Sequence, residues 1–340
     1  MTYEHSPGTG RGAVRIAGGT IAALALTASG AAFAQDKYPS KPVKIIVPYA
    51  PGGATDITAR LFGDHLKSIL GQQFVVENKA GAFGILALEE MARSKPDGYT
   101  LMIGNVSTNA ITPILFKNKL KIDFEKEVLS VARLDIYPSF LIATTTNFDV
   151  KNVKDLVEQA KKNPGKIRYS SAGVGSFPHY DMEIFSRRAG VEMVHIPNKT
   201  GAAGMLNDLV VGDAQVAIIN SASSAAMIKA GKLRPIAVVA EQRVPGYPDV
   251  PTMAEAGFPG VGTLHWQSML APAATPRPVI DTLFKAIVQA SKEPALKESF
   301  DKQLVSIKVS ESPDEAKTWL KGELDSWKKI TSEVKVDLAE

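Results

Sequence analysis

The sequence predicts an α/β protein built from two lobes, and three observations lead to this prediction. Apolar strand-like runs alternate with segments of helical spacing along most of the 340 residues. This pattern is typical of parallel or mixed sheets with helices on both faces. The predicted strands are too many for one comfortable sheet, and several are followed by loops rich in Gly, Ser, Thr and Asn. Because ligands bind beyond the carboxyl ends of strands in such sheets, we expect a cleft between the lobes.

The first half of the chain predicts strands at 43–48, 73–78, 100–103, 128–134 and 140–144. Helices are predicted at 55–70 and 83–93, because apolar residues recur there at helical spacing. The helix at 55–70 gathers its apolar residues on one face, and the turn Lys95-Pro96-Asp97-Gly98 follows the helix at 83–93. These segments alternate as expected for strand–helix units.

The second half continues the alternation. Strands are predicted at 167–170, 193–196, 214–220, 235–240 and 264–271. Helices are predicted at 153–162, 178–189, 201–211, 223–230, 252–256, 276–293 and 313–333. Asn163-Pro164-Gly165 ends the first of these helices, and Thr275-Pro276 precedes the helix at 276–293.

The first 34 residues are expected to be a cleaved export signal. Arg11 and Arg15 precede a run of apolar and small residues, and Ala32-Phe33-Ala34 matches the small-x-small cleavage pattern. A short membrane anchor is the alternative, but the run is too short to span a bilayer comfortably and ends in the cleavage pattern. We therefore expect an exported, periplasmic chain that begins at residue 35.

Composition and motif spacing exclude several classes of function. The chain has no cysteine, so neither disulfides nor thiolate chemistry are expected. Its net charge is +4, but the basic residues are dispersed among acids, which makes nucleic acid a poor candidate partner. The histidines lack metal-binding spacing, so no metal or cofactor is expected. Residues 173–177 are not the nucleophile elbow of an α/β hydrolase, because Ser176 follows the glycines.

The loop after the first strand is the first candidate for ligand binding. In VPYAPGGATDITAR, residues 47–60, Gly52 and Gly53 separate a strand from a helix. Glycine lets the backbone approach a ligand closely, and a helix N-terminus attracts anions. We therefore interpret the two glycines as a clamp that binds a carboxylate through backbone amides. Thr55-Asp56 stands where an N-cap belongs, and Asp56 is expected to support the loop and to pair with Arg60.

Four further loops at strand ends carry the remaining candidates. The residues expected to bind ligand from the first lobe are Tyr49, Ala50, Pro51, Gly52, Gly53, Asp56, Asn105, Ser107 and Thr108. Those expected from the second lobe are Ser171, Ala172, Gly173, Ser176, His179, Lys199, Gly201 and Asn220. Backbone amides and hydroxyl groups suit carboxylate oxygens, and Lys199 is a candidate countercharge. Small polar residues also form ordinary turns, so a single loop does not indicate a binding site, whereas five such loops at strand ends do.

Several long segments of the chain match one receptor family. They are YPSKP at 38–42, IIVPYAPGGATD at 45–56, NKAGAFG at 78–84, KPDGYTL at 95–101, DVPTMAEAGF at 249–258 and APAATP at 271–276. In these segments the chain resembles the periplasmic solute receptors of tripartite tricarboxylate transporters, the Bug receptor family. Two departures from the family pattern are Ala82-Phe83, where Gly-Gly is common, and Asn198-Lys199-Thr200, where Tyr-Lys-Gly is usual.

The resemblance implies a two-lobed periplasmic binding protein of the type II-like Venus flytrap form. Lobe one would comprise residues 37–138 and 242–340, and lobe two residues 139–241. The implied function is capture of a small carboxylic acid and its delivery to the inner-membrane permease subunits. A tricarboxylate, a dicarboxylate, an acidic amino acid and an aromatic acid remain open as the solute, and we expect a monomer. A periplasmic sensor that signals to a sensor kinase through a two-component system is the alternative, and an exported α/β hydrolase is a further one.

Overall fold

The computed structural model describes residues 38–198, 200–336 and 338, which belong to one compact unit, Lys37–Glu340. In this part of the chain the strands are β1 Val43–Val47, β2 Phe74–Asn78, β3 Thr100–Asn105, β4 Val128–Tyr137, β5 Ser139–Thr144, β6 Arg168–Ser171, β7 Val194–Pro197, β8 Val216–Asn220, β9 Leu233–Val239, β10 His265–Pro272 and β11 Ser306–Ile307. The leader at 1–34 lies outside the described residues.

The helices alternate with these strands, as predicted. They are α1 Ala54–Leu70, α2 Ile85–Arg93, α3 Thr112–Leu115, α4 Phe124–Glu127, α5 Val153–Lys162, α6 Phe177–Ala189, α7 Ala202–Val211, α8 Ser221–Lys229, α9 Arg277–Ala290, α10 Pro294–Asp301 and α11 Pro313–Glu333. None of the helices in the described ranges is long and apolar enough to cross a membrane.

The strands form two mixed sheets. The six-stranded sheet has the order β11-β4-β10-β3-β1-β2, and the five-stranded sheet has the order β7-β6-β8-β5-β9. In the six-stranded sheet β1 is parallel to β2 and β3, whereas β10 is antiparallel to β3 and β4. In the five-stranded sheet β6 is parallel to β7 and β8, and β5 is antiparallel to β8 and β9. The predicted pair of mixed α/β sheets is therefore confirmed.

The central strands are buried on both faces. Every residue of β5, β8 and β10 is buried, as expected for strands that helices cover on two sides. Pro138 alone separates β4 of one sheet from β5 of the other. Because β1 and β3 are parallel neighbours, and β6 and β8 likewise, the loops that follow them meet at the carboxyl edge of each sheet.

Several predicted helices differ from the structure: α8 covers Ser221–Lys229 instead of 223–230, and α1, α6 and α7 each begin one residue from the predicted position. Residues 252–256 form turns instead of a helix, because the reciprocal hydrogen bonds between Thr252 and Glu255 close one turn and Gly257, with φ +90°, ends it. The helix predicted at 83–93 begins at Ile85, since residues 82–84 form a left-handed turn. The helix predicted at 276–293 ends at Ala290, and a separate helix, α10, follows it.

Candidate functional site

Two neighbouring cavities lie where the loops of the two sheets meet. The larger has a volume of about 260 Å³ and the smaller about 50 Å³. The residues that line both are Tyr49, Ala50, Ser107, Ala172, Thr200 and Gly201. They come from the loops after β1, β3, β6 and β7, so the cavities lie at the strand ends that the sequence indicated.

Twelve of the seventeen predicted ligand-binding residues line one or both cavities. They are Tyr49, Ala50, Pro51, Gly53, Asn105, Ser107, Thr108, Ala172, Gly173, Ser176, Gly201 and Asn220. Gly52, Asp56, Ser171 and His179 are not among the lining residues. The remaining prediction, Lys199, lies outside the described residues.

The loop after β1 is held by a carboxylate behind it. Asp56 Oδ2 accepts a hydrogen bond from the Gly52 N–H (2.9 Å), and Arg60 donates to both carboxylate oxygens (3.0 and 2.9 Å). Asn78 Nδ2 also donates to Asp56, at 2.9 Å. Burial raises the pKa of Asp56, but these hydrogen bonds and the charge of Arg60 outweigh burial and lower the pKa below its ordinary value. Asp56 therefore supports the loop, as expected.

Two details of that loop correct the sequence interpretation. The N-cap of α1 is Gly53, not Thr55-Asp56, and no side chain caps it. The Gly52 amide is bound by Asp56, so Gly52 contributes its left-handed backbone (φ +87°) and not a free donor. Within the first turn of α1 the Thr55 N–H donates to Gln267, so the clamp can offer the remaining first-turn amides and not that of Thr55.

The end of β3 is ordered by one asparagine. The Asn105 Oδ1 atom accepts from the Tyr49 hydroxyl (2.7 Å) and from the Ser107 N–H (3.0 Å), while its Nδ2 donates to Thr55 Oγ1 (3.4 Å). Ser107 Oγ in turn accepts the N–H of Phe177, the first residue of α6, at 3.1 Å. This last bond joins the loop after β3 of the six-stranded sheet to the helix after β6 of the five-stranded sheet.

The loop after β6 is supported by a pair of neutral histidines. The rings of His179 and His195 stack with centroids 3.8 Å apart. His179 Nδ1 accepts the Gly175 N–H (3.1 Å), and His195 Nε2 lies 2.6 Å from Ser171 Oγ. Burial lowers the pKa of His179 to about 3, with a further contribution from His195, and burial lowers the pKa of His195 to about 4. His179 thus positions the loop from behind and does not line either cavity.

A buried polar network lies behind the loop after β1 and reaches the Thr55 wall of the smaller cavity. The hydrogen-bond donors and acceptors around Gln267 are all paired when its amide nitrogen donates to Thr58 Oγ1 (2.7 Å) and Asp135 Oδ2 (3.1 Å). Its oxygen then accepts from the Thr55 N–H (3.0 Å) and the Tyr137 hydroxyl (2.8 Å). Asp135 is completely buried, and this burial raises its pKa to about 8, against hydrogen bonds from Thr58 and Gln267 that lower it.

Five helices begin at the walls of the two cavities. The lining includes first-turn or N-cap residues of α1 (Gly53, Ala54, Thr55), α2 (Gly84), α6 (Ser176, Phe177), α7 (Gly201, Ala202) and α8 (Asn220, Ser223). The N-caps of α1, α2, α6 and α7 make no side-chain capping bond. Because helix N-termini carry partial positive charge and unpaired amides, this arrangement favours an anion.

No Lys, Arg, Asp or Glu is among the described residues that line either cavity. The one titratable imidazole, His265, borders the smaller cavity and is neutral, because burial lowers its pKa to about 3. Neither of its nitrogens has a hydrogen-bond partner among the described residues. The described residues also contain no group of three His, Asp or Glu side chains that could hold a metal ion.

Several lining residues are not among those predicted from the sequence. Examples are Phe83, Phe116, Thr200 and His265. Phe83 could have been found from its departure from the Gly-Gly pattern. Nothing in the sequence marked Phe116 as a lining residue, because it lies in a segment without clear helical or strand periodicity.

Comparisons with known proteins identify the family. Residues 58–336 match the model of the tripartite tricarboxylate transporter family receptor, TctC. The chain belongs to this family. It is 34% identical over 279 residues to a UPF0065 protein of Bordetella pertussis, covering 82% of this chain and 85% of that protein. It is 30% identical over 298 residues to Protein BugT of the same organism, covering 88% and 90%.

Solved structures of similar proteins share this fold. A periplasmic transporter superposes with a TM-score of 0.84 at 37% identity, covering 89% of this chain and 100% of that one. R. palustris Rpa4515 with adipate gives 0.82 at 30% identity, covering 87% and 98%. MatC (Rpa3494) of Rhodopseudomonas palustris with bound malate gives 0.79 at 28% identity, covering 86% and 99%. The family consists of periplasmic solute-binding receptors with a Venus flytrap-like fold, not of enzymes, so the hydrolase alternative is set aside.

Proposed function

We propose that this receptor captures a small carboxylic acid and delivers it to the permease subunits of a tripartite tricarboxylate-type transporter. The observation that carries the proposal is the group of helix N-termini around cavities whose described lining has no charged side chain. A carboxylate bound there receives backbone amide and hydroxyl donors. Each helix N-terminus contributes about 0.3–1 kcal/mol when exposed and up to about 2 kcal/mol when partly buried.

The relatives with bound ligands support the carboxylate assignment. Rpa4515 was solved with adipate and MatC with malate. Both ligands are dicarboxylates of small size, which the volume of the larger cavity, about 260 Å³, can accommodate. For this chain we propose the binding of a carboxylate group, and not of adipate or malate in particular.

Domain closure completes the proposed mechanism. Lobe one is proposed to span 37–138 and 242–340, and lobe two 139–241, in keeping with the strands that each sheet contains. The solute binds the open cleft, and the lobes then close over it. The bond from the Phe177 N–H to Ser107 Oγ (3.1 Å) would form only on closure, and solute favours closure by binding the closed form more tightly.

Export and assembly are part of the same proposal. The first 34 residues are proposed to direct export and to be cleaved, and the receptor is proposed to act as a periplasmic monomer. Mass spectrometry of protein purified from the periplasm would give the mature N-terminus. A mass that still includes the leader would contradict the cleavage.

The function is tested by a thermal-shift screen. Protein produced from the full-length gene is unfolded and refolded to remove carried ligand, then mixed with mono-, di- and tricarboxylates, amino acids and sugars. A ligand at about 100 times its Kd adds about 2.7 kcal/mol to stability, enough to raise Tm by several degrees. A rise with carboxylates alone supports the proposal. A rise in Tm with sugars only contradicts the proposal, and so does the absence of a rise with every carboxylate.

A further inference from the structure

One wall of the larger cavity is a left-handed turn. Gly81, Ala82, Phe83 and Gly84 have φ values of +115°, +46°, +56° and +81°, so two consecutive residues with side chains adopt the left-handed conformation. Such residues are uncommon there and persist only where the surroundings fix them. Here Thr112 Oγ1 donates to the Phe83 carbonyl (2.8 Å), and the Gly84 N–H donates to the Gly81 carbonyl (3.0 Å). These hydrogen bonds fix the left-handed turn as part of the cavity wall.

The consequence of the turn is the position of an aromatic ring. The Phe83 ring lines the larger cavity and stacks on Phe116, with centroids 4.5 Å apart and planes 12° apart. Lys119 Nζ lies 5.3 Å from the centroid of the Phe116 ring and adds a cation–π contact. Across the cleft, a Cβ placed on Gly173 would lie 3.6 Å from Phe83 Cε1. Because Gly173 has no side chain, it leaves the small space beside that edge of the ring unfilled.

The larger cavity is lined by both polar and apolar residues. Its lining residues with hydroxyl groups include Ser107, Thr108, Thr112, Ser176 and Thr200. Its apolar lining comprises Ala80, Ala82, Phe83, Phe116 and Val174. An anionic group is stabilised at the helix N-termini that line the cavity. A second carboxylate placed against the two phenyl rings would lose its water without gaining hydrogen-bond donors.

We propose, on the basis of the carboxylate-receptor function proposed above, that the solute is a monocarboxylate with one aromatic ring. Its ring would contact Phe83, and its carboxylate would bind at the helix N-termini. A cavity of about 150 Å³ holds one benzene, so the volume of about 260 Å³ accommodates a ring together with a short acidic substituent. Aromatic pairs gain more than their buried area alone provides, which favours a phenyl over a saturated ring.

Isothermal titration calorimetry on the refolded, full-length product tests the proposal. The probes are benzoate, phenylacetate and 3-phenylpropionate, each paired with its cyclohexyl counterpart, together with adipate, succinate and citrate. We expect the best phenyl acid to bind about tenfold more tightly than its cyclohexyl counterpart and than the aliphatic acids. Phe83→Gly should remove that preference and weaken binding about tenfold. Phe284→Ala, a matched loss of a partly buried phenylalanine on α9, should leave the affinity within about twofold.

The outcomes separate this inference from the function on which it rests. Tightest binding of an aliphatic di- or tricarboxylate, with affinity unchanged in Phe83→Gly, overturns the aromatic assignment and leaves the carboxylate receptor intact. Absence of binding by every carboxylate overturns both. If circular dichroism shows that Phe83→Gly does not fold, Phe116→Leu replaces it, because it removes the stacked ring and keeps an apolar side chain. Loss of the phenyl preference in that variant supports the proposal, and retention overturns it.

Discussion

Replacing Asp135 by Asn should stabilise the protein at neutral pH. The Asp135 side chain is completely buried, and burial raises its pKa from 3.8 to about 8. Between these values Asp135 keeps a proton in the folded state that it releases in the unfolded chain, so its contribution to stability falls as the pH rises from about 4 to about 8. Roughly three pH units at about 1.4 kcal/mol each give an upper limit of about 4 kcal/mol at pH 7.

The expected net gain is smaller than this limit. Asn has no charge to bury, but its amide group brings a donor into a site where Asp135 Oδ1 has no partner among the described residues. An unpaired buried donor costs about 1–3 kcal/mol. We therefore expect Asp135→Asn to raise the free energy of unfolding at pH 7 by about 2 kcal/mol.

Urea unfolding at a series of pH values measures this effect. The gain in stability of Asp135→Asn over the wild type should grow as the pH rises from about 4 to about 8, with an unchanged m-value. Taking the difference between the two proteins at each pH removes the opposite contribution of the buried histidines, whose lowered pKa values make stability rise with pH. Asp213→Asn, at an exposed position outside the helices, is the control and should keep the wild-type profile. A less stable Asp135→Asn protein at pH 7, with the wild-type slope retained, would show that Asp135 is ionised and stabilising in the fold.

Three further predictions concern the cleft and the fold. Ser107→Ala removes the acceptor for the Phe177 N–H and should weaken ligand affinity by about two- to tenfold in calorimetry; an unchanged Kd would contradict the closure contact. Gly84→Ala places a Cβ 2.6 Å from Thr108 Cγ2, whereas Gly71→Ala, at a similar left-handed backbone (φ +76° against +81°), meets nothing within 4 Å, so the first should be the less stable in urea; equal losses would refute the packing argument. Ser312→Ala removes the cap that accepts the Glu315 N–H and should cost about 1 kcal/mol of unfolding free energy, with no change if water replaces the cap.

The sequence predicted the long helices and most strands because local signals were strong there. α5 and α11 have the predicted bounds, and both follow a side-chain N-cap, Asn152 and Ser312. The cavity loops were found because Gly, Ser and Asn cluster at strand ends. The left-handed turn at residues 82–84 was not predicted, because Ala and Phe have no local preference for positive φ and the conformation depends on contacts distant in sequence.

Other parts of the site also depended on tertiary contacts. The prediction that Asp56 supports its loop is confirmed, since it accepts a hydrogen bond from the Gly52 amide. The prediction that Thr55-Asp56 is the N-cap is wrong, since the N-cap is Gly53. Phe116 lines the larger cavity beside Phe83, on which it stacks, and this contact joins residues 33 positions apart in the sequence. The stacked pair of His179 and His195 joins a helix to a strand, a proximity that no spacing in the sequence indicates.

The cleft's use of backbone amides has a consequence for its response to acidity. Amide hydrogens do not titrate, and burial keeps the pKa of His179, His195 and His265 at about 3 to 4. Above about pH 5 the ionisation state of these groups is therefore constant, and a carboxylic acid with an ordinary pKa is already ionised. The receptor should consequently take up its solute with nearly constant affinity from mildly acidic to neutral surroundings.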